Sequence, residues 1–199
     1  MTTTLHLVRH GSHGRLDRVL CGRMEGVSLS DQGRAEVERT AARLKREAPA
    51  ALYSSPLERC RETADAAAAV LGLSVTLDDG LVEIDFGEWT GRTFDELKTD
   101  PRWDTWNTRR TLARPPGGET LGEAQMRAAR AVEAIRAAHP EGSVVLVTHS
   151  DIVKALAAHW LGLSLDFHGR FEVSPASLTT AVVGDWGAKL IRLNEDACG

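Results

Sequence analysis

Short apolar runs alternate along this chain with longer stretches in which apolar positions recur every three or four residues, which is the signature of strands alternating with amphipathic helices. Thr3 to Val8 predicts a first strand. The segment "LSDQGRAEVERTAARLKRE" then places Val37, Ala41 and Leu44 on one helical face, with Ser30 as its N-cap. A second strand is expected near Ala50 to Ser54. In "SSPLERCRETADAAAAVLG" the apolar positions are Leu57, Cys60, Ala64, Ala67 and Leu71. Pro56 suits the first helical position there, and Gly72 is the expected stop. "LSVTL" predicts a third strand.

The pattern then weakens. From about residue 84 to 119 the chain is a Trp-containing excursion with short helical pieces and a Pro-Gly-rich exit, which reads as a lid or a wall. Thr120 and Glu123 form a capping-box pattern ahead of a long helix through Leu121, Ala124, Ala128, Ala131, Ile135 and Ala138. "GSVVLVTH" is apolar almost throughout, as a strand buried on both faces must be. A helix from about Asp151 to Leu161 should follow it. "RFEV", "SLTTAVV" and "AKLIRL" are then expected as closing strands, the last two joined across "GDWG" as a hairpin. Together these elements predict a three-layer α/β/α sandwich with a mainly parallel central sheet. No repeat or linker interrupts the pattern, so residues 1–199 are expected to form one domain.

Composition narrows the function classes. The hydrophobic fraction of 42% and charged fraction of 26% suit a globular core. With 24 Lys and Arg against 28 Asp and Glu, the formal net charge is -4, so nucleic acid and anionic lipid are not expected partners, and any phosphate site must be local. Cys21, Cys60 and Cys198 are odd in number and widely spaced, against both a disulfide framework and a thiolate zinc site. "MTTTLHLVRHG" has no basic region leading into a long apolar one, and no stretch approaches the ~20 apolar residues of a membrane span. A cytoplasmic protein with no membrane anchor is expected.

Unusual residues collect where chemistry gathers in such a fold, beyond the carboxyl ends of the parallel strands. Arg9 and His10 end the first predicted strand, Arg59 starts the helix after the second, Glu83 follows the third, and His149 ends "VVLVTH". Two guanidinium groups and two imidazoles beside helix N-termini make a site for an anion, with phosphate the natural occupant. The arginine charges would lower the pKa of a neighbouring histidine, leaving His10 neutral with a lone pair to attack phosphorus. A backbone carbonyl near Gly11 is the expected anchor for its other ring nitrogen. Glu83 would protonate the departing oxygen and later, once ionised, activate water. Arg61 competes with Arg59, and Asp85 and Glu88 compete with Glu83, on chemistry alone. Ser150, Gly22 and Arg15 complete the candidate phosphate- and substrate-binding set. No metal is expected: His10 and His13 lack any H-E-x-x-H, paired aspartates or thiolate pair to complete a coordination sphere. His6, His139, His159 and His168 read as structural.

In order, "LVRHG", "LSDQG", "SSPLERCRETA", "EIDFGEWTG", "PGGET" and "VVLVTHSDIVKAL" resemble the histidine phosphatase superfamily, also called the phosphoglycerate mutase-like fold. The resemblance implies metal-independent phosphoryl transfer without a cofactor: His10 becomes phosphorylated, Arg9, Arg59 and His149 hold the phosphoryl group, and Glu83 is the proton donor. The pattern departs from many members at Ser12-His13-Gly14-Arg15, where they carry Glu and then Asn, and at Ser150-Asp151, where they carry glycines. Asp151 is expected to cap the following helix and so turn away from the phosphate. The short insertion after Glu83 favours a phosphatase of small phosphorylated metabolites over a phosphoglycerate mutase, with a non-catalytic phospho-ligand module as the other alternative. Trp89, Trp103, Trp106 and Phe94 read as core or lid packing. Arg102, Arg109, Arg110 and Arg114 either greet an anionic substrate or form a solvated face. Homodimerisation through the terminal strands is left open by the sequence.

Overall fold

In the computed structural model, which describes residues 1–196, the strand β1 (Thr2–Arg9) runs through the middle of the molecule. On one side it pairs in parallel with β4 (Ser143–Thr148), which pairs in parallel with β2 (Ala51–Ser54), which in turn pairs with β3 (Val75–Leu77). On the other side lie β5 (Leu178–Gly184), antiparallel to β1, and β6 (Gly187–Glu195), antiparallel to β5. The six-stranded order is therefore β3-β2-β4-β1-β5-β6, mostly parallel, with the expected hairpin closing one edge.

Alternation along each strand sends side chains to two helical layers. Val145 and Val147 of β4 join Val8 in a cluster with Ala41 and Leu44 of α1 (Asp31–Leu44) and Cys60, Ala64 and Ala67 of α2 (Glu58–Leu71). Val144 and Leu146 face the other way with Leu5 and Leu7. They pack under α5 (Leu121–Ala138) and α6 (Ser150–Leu161). Thus the unbroken apolar run of β4 fills both faces of the sheet. The capping residues act as their chemistry predicts: Ser30 accepts from the Gly33 amide, Thr120 and Glu123 close a reciprocal box, and Gly72 ends α2 at φ 70°.

A short 3-10 turn at residues 79–81 leads into the excursion, which contains another at 87–89 and two helices, α3 (Phe94–Leu97) and α4 (Pro101–Thr108). Phe86, Trp89, Leu97 and Trp106 are buried in the same cluster as Leu5 and Leu7. Its apolar side is thus continuous with the core. Among the described residues no helix is long and apolar enough to cross a membrane.

Two local expectations fail. Pro56 is not the first residue of α2; it precedes the N-cap Leu57, whose extended backbone delays the helix to Glu58. That delay leaves Ser55 free to bond His149 across the sheet. "RFEV" forms no strand either. It follows a 3-10 segment at 165–170, and the Val173 carbonyl accepts from Arg9 Nη1 at 2.6 Å instead of joining a ladder. Cys21 and Cys60 are free and buried, while Cys198 lies outside the described residues.

The loop after β1 presses directly on the start of α1. A Cβ at Gly11 would come within 2.6 Å of the Gly33 carbonyl oxygen, and one at Gly33 would collide with the Ser12 backbone. Gly33→Ala should therefore destabilise the protein by about 1–3 kcal/mol despite the better helix propensity of alanine, because backbone atoms cannot step aside. Gly122→Ala in the first turn of α5 meets nothing closer than 4.0 Å and should be neutral or stabilising by up to about 1 kcal/mol. Urea unfolding midpoints check both, and equal effects at the two sites would refute the close approach.

Candidate active site

The ends of β1 and β4 are in register, with Arg9 opposite Thr148, so the residues that follow, His10 and His149, emerge together. Their ring centroids are 5.3 Å apart, and the ring of His13 lies 5.4 Å from that of His10. Arg59, in the first turn of α2, reaches between the two: Nε lies 3.3 Å from His10 Nε2, and Nη2 lies 3.2 Å from His149 Nδ1. Nη2 also donates to the Gly22 carbonyl at 2.7 Å. His10, His13, Gly22 and Arg59, together with Arg9, Glu83, Ser150 and Asp151, line one hollow of about 150 Å³, while His149 is fully buried and outside the lining, bonded to Arg59.

Hydrogen bonding fixes the tautomers. A carbonyl only accepts, so His10 Nδ1, 2.9 Å from the Gly11 oxygen, carries the ring proton, and Nε2 keeps its lone pair. A guanidinium only donates, so His149 is protonated on Nε2, which donates to Ser55 Oγ at 2.8 Å. Burial, reinforced by the Arg59 and Arg9 charges, holds His10 well below the usual histidine range. Burial and Arg59 do the same to His149, and the same causes push His13 down to about 4. All three imidazoles are neutral at pH 7. The two guanidinium groups are less satisfied: Arg59 Nη1 and Arg9 Nε are buried without a hydrogen-bond partner. An unpaired buried donor costs about 1–3 kcal/mol, more when charged, so both arginines are poised for an anion.

Glu83 is 8% exposed, and its Oε1 accepts from the Ile84 amide at 3.0 Å. Burial, then the charge of Asp151, push its carboxyl up to about 8, against the opposing pull of the Ile84 bond and of Arg59 and Arg9. It is therefore a protonated acid at neutral pH. Its backbone carbonyl is held by Arg23 Nε at 2.9 Å, and Arg23 and Arg127 share the Glu119 carboxylate at 3.1 and 2.9 Å. Asp85 instead accepts from the Gly87 amide and faces Arg23, which separates it from the role open to Glu83.

Of the other candidates, Ser150 lines the hollow at the first turn of α6, and Gly22 contributes its carbonyl to Arg59. The Arg15 side chain is exposed and outside the lining; its amide donates to His13 Nδ1. The expected capping role of Asp151 fails. His149 is the N-cap of α6, with no side-chain cap bond, and the Asp151 carboxylate instead stands 3.2 Å from His168 Nε2 and 4.0 Å from Arg110 Nη1. It lines the hollow rather than avoiding it. His6 is a satisfied core histidine between Thr180 and Ser143, whereas His168 belongs to the rear of the site, a place its sequence context gave no sign of. Asp17, Leu16 and Leu20, which belong to no motif, also line the hollow, as does Phe86, which lies within "EIDFGEWTG" without being singled out there. Among the described residues no cluster of three or more His, Cys, Asp or Glu is arranged to hold a metal ion.

Paired neutral imidazoles, the buried Arg59 guanidinium and the half-buried Arg9 thus gather at the carboxyl edge of a mostly parallel sheet on an α/β scaffold. The chain belongs to the histidine phosphatase superfamily (branch 1), whose sequence profile matches residues 5–196. It is similar to phosphoserine phosphatase 1 of Hydrogenobacter thermophilus, at 29% identity over 178 residues, covering 87% of this chain and 84% of that protein. A bifunctional protein of Mycobacterium tuberculosis is 34% identical over 193 residues, which are 96% of this chain and 53% of that protein. The chain thus spans about half the length of the first curated relatives it matches. Among solved structures, YhfR of Bacillus stearothermophilus superposes with a TM-score of 0.92 at 30% identity, covering 97% of each chain. A mycobacterial glucosyl-3-phosphoglycerate phosphatase gives 0.88 at 27% identity, covering 98% of this chain and 100% of that one.

The tautomers can be read in solution. Long-range ¹H–¹⁵N spectra should show His10 as the neutral Nδ1–H form and His149 as the neutral Nε2–H form at pH 6.5, where an ordinary histidine is half protonated. A His10 ring that titrates near its ordinary value of 6.5 would contradict the electrostatics described above.

Proposed function

We propose that this protein is a metal-independent phosphomonoesterase that works through a covalent phosphohistidine on His10. The observation that carries the reading is the His10 ring itself: its proton is committed to Gly11, and its lone pair lies against Arg59 in a hollow that also holds a protonated carboxyl. A phosphate ester in that hollow would place its oxygens on Arg9, Arg59 and His149, with Ser150 as a further contact. His10 Nε2 attacks phosphorus, forming the N–P bond as the ester P–O bond breaks. The departing oxygen takes the Glu83 proton. Glu83, now a carboxylate, removes a proton from water as its oxygen attacks phosphorus, and the N–P electrons return to Nε2. Phosphate leaves with Glu83 protonated again. Relatives that carry phosphatase names, phosphoserine phosphatase 1 among them, support the reaction class and a small phosphorylated metabolite as substrate. Arg15, exposed and outside the lining of the hollow, is given no part in holding the phosphoryl group.

His10→Ala should abolish both turnover and the trapping of a phosphoenzyme after acid-free quenching, and activity should be unchanged by a chelator. Loss of activity with EDTA, restored by a divalent ion, would overturn the metal-independent mechanism. Glu83→Gln should slow alkyl phosphates roughly 10²–10⁴-fold and 4-nitrophenyl phosphate far less, since nitrophenolate needs no proton. Equal losses on both esters would remove Glu83 from the acid role.

The pH dependence follows from the same groups. Glu83 must be protonated, so kcat/KM for an alkyl phosphate should fall as pH rises through about 8. His10 must be neutral and lies well below its ordinary value, so its protonation should cost activity only well below pH 6.5. The alkaline limb should vanish in Glu83→Gln; its persistence there would assign it to another group.

A further inference from the structure

Beyond the phosphoryl-binding residues, the hollow has a second half with a different character. Its wall there is apolar, with Leu16, Leu20, Phe86 and Phe94, and its only other charged groups are two carboxylates, Asp17 and Asp151. Arg102 is bonded to Asp100 through Nε at 2.9 Å and Nη2 at 2.7 Å, and Arg114 is bonded to Glu123 at 2.6 Å. Arg110 lies over the Trp106 ring at 4.9 Å and forms an ion pair with Asp151, its buried Nη1 4.0 Å away and otherwise without a hydrogen-bond partner. Arg109 is exposed on the outer surface.

Placement fixes these charges. Asp17 sits at φ 58°, in the left-handed region that aspartate tolerates better than most residues, at the tip of the turn that follows His13. Asp151 is the second residue of α6, immediately after Ser150, and it is braced from behind by His168. Arg9 and Arg59 would be matched by a bound phosphate dianion and Arg110 is already paired with Asp151, so a substrate with a second anionic group near its ester would set that group against carboxylates with no further cation in the lining. Like charges facing each other in a partly desolvated hollow cost enough to discriminate between substrates.

We infer that the leaving-group half of this site selects phosphomonoesters of apolar alcohols that are uncharged or carry a cationic group, and discriminates against esters that bear a carboxylate or a second phosphate, with Asp17 and Asp151 as the specificity-determining residues. This rests on the phosphatase reading above and specifies its substrate class. Arginines in the excursion, which the sequence left as candidates for greeting an anionic substrate, are committed to carboxylates of the protein itself or point outward. Phe94 and Phe86 supply the surface against which an apolar alcohol packs.

A matched series of aryl phosphates tests the proposal: 4-ethylphenyl, 4-(carboxymethyl)phenyl and 4-(aminomethyl)phenyl phosphate, which differ in remote charge and little in leaving-group strength. The carboxylate ester should be hydrolysed with a kcat/KM roughly tenfold or more below that of the neutral ester, and the aminomethyl ester at least as well as the neutral one. In Asp151→Asn and, separately, in Asp17→Asn, the ratio of carboxylate to neutral ester should rise severalfold and the ratio of aminomethyl to neutral ester should fall. Ratios cancel any change these variants make to the acidity of Glu83. Equal turnover of the carboxylate and neutral esters by the unmodified protein, or ratios unchanged in both variants, would overturn the inference. No hydrolysis of any ester would instead overturn the phosphatase reading on which it rests.

Discussion

Arg59 is charged, 2% exposed, and bonded only to neutral acceptors: the Gly22 carbonyl and one nitrogen on each of two imidazoles. Buried charge without a counter-charge is costly, and the site is organised by that cost. Because the guanidinium needs acceptors, His10 must present Nε2 and His149 must present Nδ1 as lone pairs, which sends their ring protons to Gly11 and to Ser55. Burial first, and then this positive charge, keep either ring from readily taking a second proton. The nucleophile of the proposed reaction is thus held neutral by the same group that would bind the phosphate oxygens.

The scaffold supplies this arrangement through a few close approaches. Parallel pairing of β1 with β4 delivers the two histidines at one level, and the His10 amide continues the ladder by donating to the Thr148 carbonyl at 3.0 Å. Beyond it the chain turns at Gly11, whose amide donates to Thr63 Oγ1 of α2, one turn after Arg59. Only a residue without a side chain fits there, under the Gly33 carbonyl and Val37 of α1. The helix carrying Arg59 and the helix capped by Ser30 are consequently locked to the strand that carries the nucleophile. Displacing any of the three would break the contact between Arg59 and His10.

The sequence made visible what is periodic or local. Strand β4 announces itself because both its faces are buried, and Ser30, Thr120 and Gly72 cap their helices because their side chains or backbones suit those positions. The coincidence of Arg9, His10, Arg59, Glu83 and His149 was legible because each follows a strand of a mainly parallel sheet, and such ends share a crevice. What escaped depends on contacts between distant segments. "RFEV" has the composition of a strand, yet the needs of Arg9 claim the Val173 carbonyl. Pro56 suits a helix start, yet Ser55 is required by His149, and the helix begins later. His168 and Asp17 carry no local sign of their surroundings.

Asp151 shows how one such unforeseen contact bears on the chemistry. As a cap it would have stood outside the electrostatics of the site; instead it adds negative charge beside the buried carboxyl of Glu83. Two neighbouring carboxyls near a pair of cations cannot both ionise at equal cost, and their surroundings separate them. Burial pushes both carboxyls up, but His168 first, then Arg110 and Lys154, overcome it at Asp151 and hold that group below the usual carboxylate range, whereas the charge of Asp151 adds to burial at Glu83 and raises it. In the proposed reaction the division of labour between proton donor and fixed charge follows from which carboxyl has cations behind it. The same argument separates Glu83 from Asp85 as the proposed acid: Asp85 is half exposed and faces Arg23, whereas Glu83 is deprived of water and set beside another negative charge.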